Sequence, residues 1–386
     1  MAATVALRQR VRSALTAGAL TLPLIGAGTM AAAAQNGAPG IVAPVVLPPF
    51  SPSAAACAPP VDLKRTLVFL KDNEREFMQG VEAGLRAAAS DRKLGFEVAA
   101  AENDGSRMRQ QAQDALDAKV GAVVVSPVDP RSMTPATQAL LWSGAYVGAV
   151  VPPPATTILN APQYETGKVL ADAAVAYIER NLSGRAKVVL LTHDSNQFLA
   201  PRFVAMRDAL SKLPGVNIVA DLSPSTVTRE GGFATMKTIL LAQPNVDVVL
   251  GADTVVLGAL DALREAGTAR DNQFLGGIDG EPEAVGEIKS GGPYKASVSL
   301  ASPVFGYAMG QHAADWLEGK SIPQAMDILP KALNAQNIGQ YEADLANPGA
   351  VYADPVRRDG YLKMYGNICF DTRDRYLNFP WSSEGQ

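Results

Sequence analysis

The chain has 386 residues, of which 47% are hydrophobic and 19% are charged. This length allows two domains of ordinary size, and the hydrophobic fraction is sufficient to form their cores. Its 34 basic and 38 acidic residues give a formal charge of −4, and no basic run suggests a nucleic-acid-binding surface. The two cysteines and two histidines, Cys57, Cys369, His193 and His312, lie too far apart in sequence for a known zinc-site spacing. We therefore expect no metal, no cofactor and no nucleic-acid partner.

Residues 1–34 have the pattern of a secretory signal peptide. Three arginines among the first twelve residues precede an apolar stretch at 14–29, and four alanines at 31–34 supply small residues for cleavage near Gln35. A membrane anchor is the alternative, but a proline and glycines within the apolar stretch favour cleavage. A lipoprotein anchor at Cys57 is a weaker alternative, because a proline-rich segment separates it from the apolar stretch. We expect an exported protein, located in the periplasm.

The segment at 35–64 is rich in proline and alanine without a repeat, which predicts an extended and weakly ordered leader. Cys57 lies in this leader and Cys369 lies in the C-terminal tail, so the pair flanks the whole core. Two lone cysteines in an oxidising compartment often pair. We predict a Cys57–Cys369 disulfide; two free thiols are the alternative.

From residue 65 onward, short apolar runs alternate with segments of helical periodicity. The first half is predicted to contain strands at 66–70, 96–100, 122–125, 146–150 and 156–159, with helices at 74–93, 106–118 and 131–142. The second half is predicted to contain strands at 187–191, 216–220, 246–250, 273–278 and 295–300, with helices at 164–181, 199–212, 229–242, 254–266, 281–288 and 303–317. This alternation predicts parallel sheets, and the strand count favours two similar α/β halves that meet near Asn160.

Polar residues follow several of the predicted strands, at 71–73, 126–129, 192–196, 251–254 and 279–280. Ligands of open parallel sheets bind outside the carboxyl ends of the strands. These positions therefore predict a cleft for a polar ligand. His193 lies at one strand end, where it is a loop residue or a base, and His312 is predicted on the surface of a helix.

Three segments resemble the periplasmic substrate-binding proteins of sugar ABC transporters, of the ribose-binding type. They are residues 77–85 (FMQGVEAGL), residues 121–129 (GAVVVSPVD), and residues 253–260 (DTVVLGAL) followed by 276–280 (GGIDG). The resemblance extends over residues 65–325 and implies a type I periplasmic binding fold, in which three crossovers join two doubly wound α/β lobes. The implied divisions are lobe I at 65–160 plus 301–328, lobe II at 161–300, and a C-terminal extension at 329–386.

The resemblance implies a monomeric solute-binding protein, not an enzyme, that delivers a small polar ligand to an ABC permease. A binding partner of a membrane sensor is an alternative that the sequence does not separate from transport. A secreted enzyme would need a nucleophile with a base, and only one histidine lies near a strand end. A repressor with this fold would need an N-terminal helix-turn-helix, where the chain has a signal-like segment instead.

Eight residues are implied as ligand contacts by their places in these segments: Asp72, Asn73, Phe77, Ser126, Gln197, Phe198, Asp253 and Asp279. Three of them have structural alternatives. Phe77 could be a core residue of its helix, Asp253 could be an N-cap, and Asp279 could be a turn residue.

The chain also departs from the resembled pattern at three places. Val-Pro-Pro-Pro at 151–154 replaces an Asp-Arg pair, and Ala252 replaces an asparagine. The pattern also has a glutamine near residue 300, where this chain has the apolar Leu300. Each missing partner of a sugar hydroxyl costs about 1–3 kcal/mol. We therefore expect a less hydroxylated or partly apolar ligand, or one read by replacement residues.

Overall fold

Two parallel β-sheets, each covered by helices, form the two lobes of the protein. The computed structural model describes residues 40–150 and 154–385. Strands in the described residues, in chain order, are β1 (Lys64–Lys71), β2 (Gly95–Ala100), β3 (Val120–Val125), β4 (Tyr146–Ala149), β5 (Thr157–Asn160), β6 (Ala186–Leu191), β7 (Val216–Leu222), β8 (Val248–Leu250), β9 (Phe274–Asp279), β10 (Tyr294–Ser299), β11 (Ala325–Ile328), β12 (Lys331–Leu333) and β13 (Leu362–Tyr365).

The helices follow the strands in the alternation that the sequence predicts. In chain order they are α1 (Glu76–Asp91), α2 (Gly105–Asp117), α3 (Pro130–Ser143), α4 (Gln163–Asn181), α5 (Ala200–Leu210), α6 (Arg229–Ala242), α7 (Asp253–Glu265), α8 (Pro282–Ser290), α9 (Ser302–Leu317), α10 (Ile338–Ala346), α11 (Pro348–Ala353) and α12 (Pro355–Asp359).

Both sheets have the same internal strand order. Lobe I has the order β13-β11-β5-β4-β3-β1-β2, and lobe II has the order β12-β10-β9-β8-β6-β7. Neighbouring strands are parallel except for β13 on β11 and β12 on β10. Every residue of β3 is buried, which is why this strand reads as a continuous apolar run. The predicted pair of doubly wound α/β lobes is confirmed.

The chain passes between the lobes four times, once more than the resemblance implies. The first three passages follow β5, β10 and β11, and the fourth runs from β12 in lobe II to β13 in lobe I through α10, α11 and α12. The C-terminal extension therefore adds an antiparallel strand to each sheet. It is part of both lobes and not a separate appendage.

The leader lies along this extension from residue 41 onward. The backbone N–H of Ile41 donates to Tyr376 O at 2.8 Å, and that of Phe50 donates to Met364 O at 3.0 Å. Leu47 is buried. The predicted disulfide is confirmed, since Cys57 and Cys369 are bonded. The leader is extended, as expected, but these contacts attach it to lobe I instead of leaving it weakly ordered.

His312 is buried, so the expectation that it lies on a helix surface is wrong. Helix α9, which carries it, is covered by α11 of the extension, and the Tyr352 ring lies 6.3 Å from the imidazole between centroids. Neither ring nitrogen has a hydrogen-bond partner among the described residues. Burial lowers the pKa of His312 to about 4; Asp315 acts in the opposite direction and Arg358 in the same direction.

Loss of the disulfide should lower the free energy of unfolding by about 2–5 kcal/mol, because the bond closes a very long loop in the unfolded chain. The two cysteines are 312 residues apart in sequence. Urea unfolding with and without reductant measures the change, and a Cys57→Ser/Cys369→Ser double variant should not respond to the reductant. An unchanged unfolding midpoint on reduction would contradict this.

The buried imidazole should also make the protein acid-sensitive. The pKa of His312 is lowered on folding, so its contribution to stability is present above the unfolded pKa and is lost as the pH falls toward the folded pKa. Between pH 7.5 and pH 5 this loss is about 2 kcal/mol. A His312→Phe variant should lose less stability than the parent over this range in denaturant titrations. His193→Asn is the control and should keep the parent's dependence; equal slopes for His312→Phe and the parent would refute the assignment.

Candidate functional site

A cavity of about 560 Å³ lies between the two lobes, at the carboxyl ends of their parallel strands. Its wall comes from lobe I, from lobe II and from the C-terminal extension. The residues that line it are Arg75, Glu76, Phe77, Met78, Gln79, Gly80, Ser126, Val150, Leu159, Ala161, Gln163, Phe198, Leu199, Arg202, Asp279, Gly280, Glu281, Pro282, Leu300, Ser302, Pro303, Ile328, Tyr341 and Leu345.

Lobe II contributes a buried arginine to the cavity wall. Arg202 lies in the first turn of α5, and its Nε donates a hydrogen bond to Gln163 Oε1 at the start of α4. Gln163 Nε2 in turn donates to Ala161 O at 2.8 Å, which holds the amide in one orientation. Burial lowers the pKa of Arg202, and nearby Asp279 partly offsets this. The guanidinium remains a cation that can bind hydroxyl or carboxylate oxygens.

Asp279 faces Arg202 from the end of β9. Its Oδ1 lies 3.9 Å from Arg202 Nη1, which is an ion-pair distance without a hydrogen bond. Burial raises the pKa of Asp279, while Arg202 and Arg75 act in the opposite direction. The backbone φ of Asp279 is 123°, a conformation that costs a non-glycine residue about 1–3 kcal/mol. Strain of this kind is typical of functional positions, and it directs attention to this carboxylate.

Asp253 stabilises the turn after β9 from the interior of lobe II. Its carboxylate accepts hydrogen bonds from Tyr294 Oη at 2.6 Å, from Ser297 Oγ at 2.6 Å and from the backbone N–H of Glu281 at 2.9 Å. Burial raises the pKa of Asp253 to about 6, and the hydrogen bonds from Ser297 and Tyr294 act against this. The side chain neither lines the cavity nor caps α7, whose N-cap is Ala252. It holds the turn that presents Asp279.

Glu281 adds a second carboxyl group to the wall of lobe II. Burial raises its pKa to about 8, and the negative charges of Asp253 and Asp279 act in the same direction. Its surroundings therefore favour the protonated form, which can donate a hydrogen bond as well as accept one.

Lobe I contributes an aromatic ring and an unused hydroxyl. Phe77 lines the cavity and packs on Phe305, with 5.6 Å between ring centroids. It is therefore in contact with the core as well as with the cavity. Ser126 follows β3; it is buried, and its Oγ has no hydrogen-bond partner among the described residues. A buried hydroxyl without a partner that lines a cavity is a natural ligand contact.

Four of the eight residues implied by the resemblance line the cavity: Phe77, Ser126, Phe198 and Asp279. Four others do not line it: Asp72, Asn73, Gln197 and Asp253. Asp72 pairs with Arg75, which does line the cavity, and Asn73 Nδ2 donates to Asn103 Oδ1 at 2.9 Å. Gln197 lies in an exposed loop.

Arg202, Gln163, Glu281, Tyr341 and Leu345 line the cavity but were not among the predicted contacts. A signal for Arg202 was available, since it follows Phe198 by only four residues. Of the departures from the resembled pattern, Leu300 lines the cavity, Ala252 does not, and residues 151–153 lie outside the described residues.

Within residues 40–150 and 154–385, no group of three His, Cys, Asp or Glu side chains could hold a metal ion. In the same ranges, no helix is both long and apolar enough to span a membrane.

Comparison with known proteins agrees with the two-lobed geometry. Residues 67–321 match the periplasmic binding protein domain. The chain belongs to this family. Family members capture a solute between two lobes and deliver it, so the chain is a solute-binding protein. Among curated proteins, it is 25% identical over 275 residues to the ribose import binding protein of Bacillus subtilis (strain 168), covering 67% of this chain and 83% of that protein.

Solved structures share the fold of this periplasmic binding protein at low sequence identity. A periplasmic ribose ABC transporter protein from Conexibacter woesei superposes with a TM-score of 0.64 at 18% identity, covering 74% of this chain and 96% of that one. An ABC transporter solute-binding protein from Actinobacillus succinogenes 130z with bound D-allose has a TM-score of 0.64 at 19% identity, covering 72% and 100%.

Proposed function

We propose that this protein captures a small sugar-like or polyol solute outside the cytoplasmic membrane and delivers it to an ABC permease, without catalysing a reaction. The observation that carries the proposal is a single cavity walled by both lobes, with Arg202 and Asp279 on one side and the Phe77 ring on the other. Its relative from Bacillus subtilis is named as a ribose import binding protein. An arginine, carboxylates and aromatic rings together suit a molecule with several hydroxyl groups on an apolar ring.

Closure of the lobes follows from this division of contacts. Phe77 and Ser126 lie on lobe I, whereas Phe198, Arg202 and Asp279 lie on lobe II. A solute touches both sets at once only when the lobes are close together. Binding therefore shifts the population toward the closed state, and a permease can distinguish the loaded protein by its shape.

Substitutions on each lobe should weaken binding of the solute. Asp279→Ala should weaken binding by about 1–3 kcal/mol, because a buried hydrogen bond to the carboxylate is lost. Phe77→Ala should also weaken binding, because the solute loses a stacking surface. Mass spectrometry of molecules that co-purify from the native host identifies the solute, and calorimetric titration measures its affinity for each variant.

Asp271→Ala, at an exposed position of lobe II, is the matched control and should leave the affinity unchanged. Unfolding curves establish that each variant is folded, which matters for Phe77 because it also packs on Phe305. Parental affinity in both Asp279→Ala and Phe77→Ala would exclude this cavity as the solute site. Turnover of the bound solute would contradict the absence of catalysis.

Export should remove the N-terminal segment. The three arginines, the apolar stretch and the alanines at 31–34 suit cleavage by a signal peptidase. N-terminal sequencing of the protein recovered from the periplasm of a Gram-negative host should begin close to Gln35. A cytoplasmic protein that still begins at Met1 would be evidence against export.

A further inference from the structure

The C-terminal extension contributes one wall of the solute cavity. Tyr341 and Leu345 lie four residues apart on α10, so they share one face of this helix, and both line the cavity. Helix α10 belongs to the fourth passage between the lobes. The cavity is therefore bounded by a segment outside the residues that match the family domain, which end at 321.

Helix α10 is held in place from two sides. Buried Asp344 accepts hydrogen bonds from Tyr361 Oη at 2.6 Å and from Arg357 Nη2 at 2.5 Å, both within the extension. Glu342 pairs with Lys289 of lobe II at 2.5 Å, and the hydroxyl of Tyr341 shares a hydrogen bond with Ser299 Oγ. The position of Tyr341 and Leu345 is thus determined by the fold and does not depend on a solute.

Leu345 and three other apolar residues line the cavity, and each of the four lies on or beside one of the passages between the lobes. Leu159 lies in β5, Leu300 follows β10 and Ile328 ends β11; these three are buried in one hydrophobic cluster, on which Leu345 packs. We call these four residues the apolar end.

Two polar side chains beside the apolar end already have partners within the protein. The Tyr341 hydroxyl is bonded to Ser299, and Asn160 Nδ2 donates to Asp327 Oδ1 at 2.7 Å. Polar groups that remain for a solute include Ser126 Oγ, the Glu281 carboxyl group and the Arg202–Asp279 pair, which lie on other elements of the cavity wall. A solute hydroxyl packed on the four apolar side chains would lose its water and gain no partner from them, whereas an alkyl group there would gain contacts.

We propose that the apolar end selects solutes that carry a methyl or other alkyl group in place of one hydroxyl. This inference rests on the proposed function and narrows its substrate class to deoxy or alkyl-substituted sugars and polyols. An apolar pocket binds a methyl group about 10- to 100-fold more tightly than a hydroxymethyl group. Leu345 acts here as a specificity-determining residue supplied by the extension.

The test uses the full mature protein and pairs of probes that differ in one hydroxyl group. The pairs are D-galactose with D-fucose, L-galactose with L-fucose, L-mannose with L-rhamnose, and D-ribose with 5-deoxy-D-ribose. Calorimetric titration should show that the tightest binder is a deoxy member, about 10- to 100-fold tighter than its hydroxylated partner. Leu345→Asn should reduce that ratio to about threefold or less, because the amide offers the missing hydrogen-bond partner.

Leu241→Asn is the matched control, since Leu241 is exposed on α6 of lobe II, and it should leave the ratio unchanged. Leu345→Ala is a second variant that adds no polar group. It should shift the preference toward larger alkyl groups, measured as tighter binding of O-ethyl relative to O-methyl derivatives of the tightest binder. This variant keeps the inference testable if Leu345→Asn does not fold.

The outcomes separate the inference from the function on which it rests. A hydroxylated member that binds as tightly as its deoxy partner, or an unchanged ratio in folded Leu345→Asn together with an unchanged preference in Leu345→Ala, overturns the inference and leaves sugar binding intact. Absence of binding by every probe overturns the proposed solute class and the inference with it.

Discussion

The parallel direction of the strands is the constraint on which the rest of this structure depends. Parallel strands joined by helices place all their carboxyl ends at one edge of a sheet. Lobe I and lobe II repeat the same order, and the carboxyl-end edges of both sheets contribute residues to one cavity. Ser126 and Asp279, which are distant in sequence, therefore line the same cavity. The backbone at these edges is free of sheet pairing, so side chains there can serve a ligand.

A buried carboxylate supports this edge in lobe II. Asp253 accepts three hydrogen bonds that connect α7, β10 and the turn after β9. These bonds stabilise a backbone conformation at Asp279 that would otherwise be unfavourable. The two carboxylates have different roles: Asp279 faces the cavity, whereas Asp253 remains in the interior and stabilises the turn. The backbone that carries Asp279 is therefore positioned before the solute arrives, which reduces the entropy lost on binding.

Local pattern was enough to predict both sheets, and the resemblance implied eight contacts, of which four line the cavity. The pattern itself pointed to Ser126, because the end of a buried strand is recognisable in sequence, whereas Phe77 was implied by the resemblance. The sequence could not show whether Asp253 contacts the ligand, because a carboxylate after a strand can face either the cavity or the interior. His312 was misplaced because the helix face it occupies is covered by α11, more than thirty residues further along the chain. Tyr341 and Leu345 follow no motif, and only long-range packing brings them to the cavity.

The fourth passage between the lobes also bears on how far the cleft can open. Helix α10 is attached to lobe II through Glu342 and to the rest of the extension through Asp344, and the extension is joined to lobe I through β13 and the disulfide. A segment attached on both sides shortens the arc through which the lobes can swing apart. Opening of the cleft then requires either a smaller swing of the lobes or the transient loss of one attachment. Any such motion also has to be accommodated by the helix that carries Tyr341 and Leu345, so opening of the cleft and the shape of the cavity wall are mechanically linked.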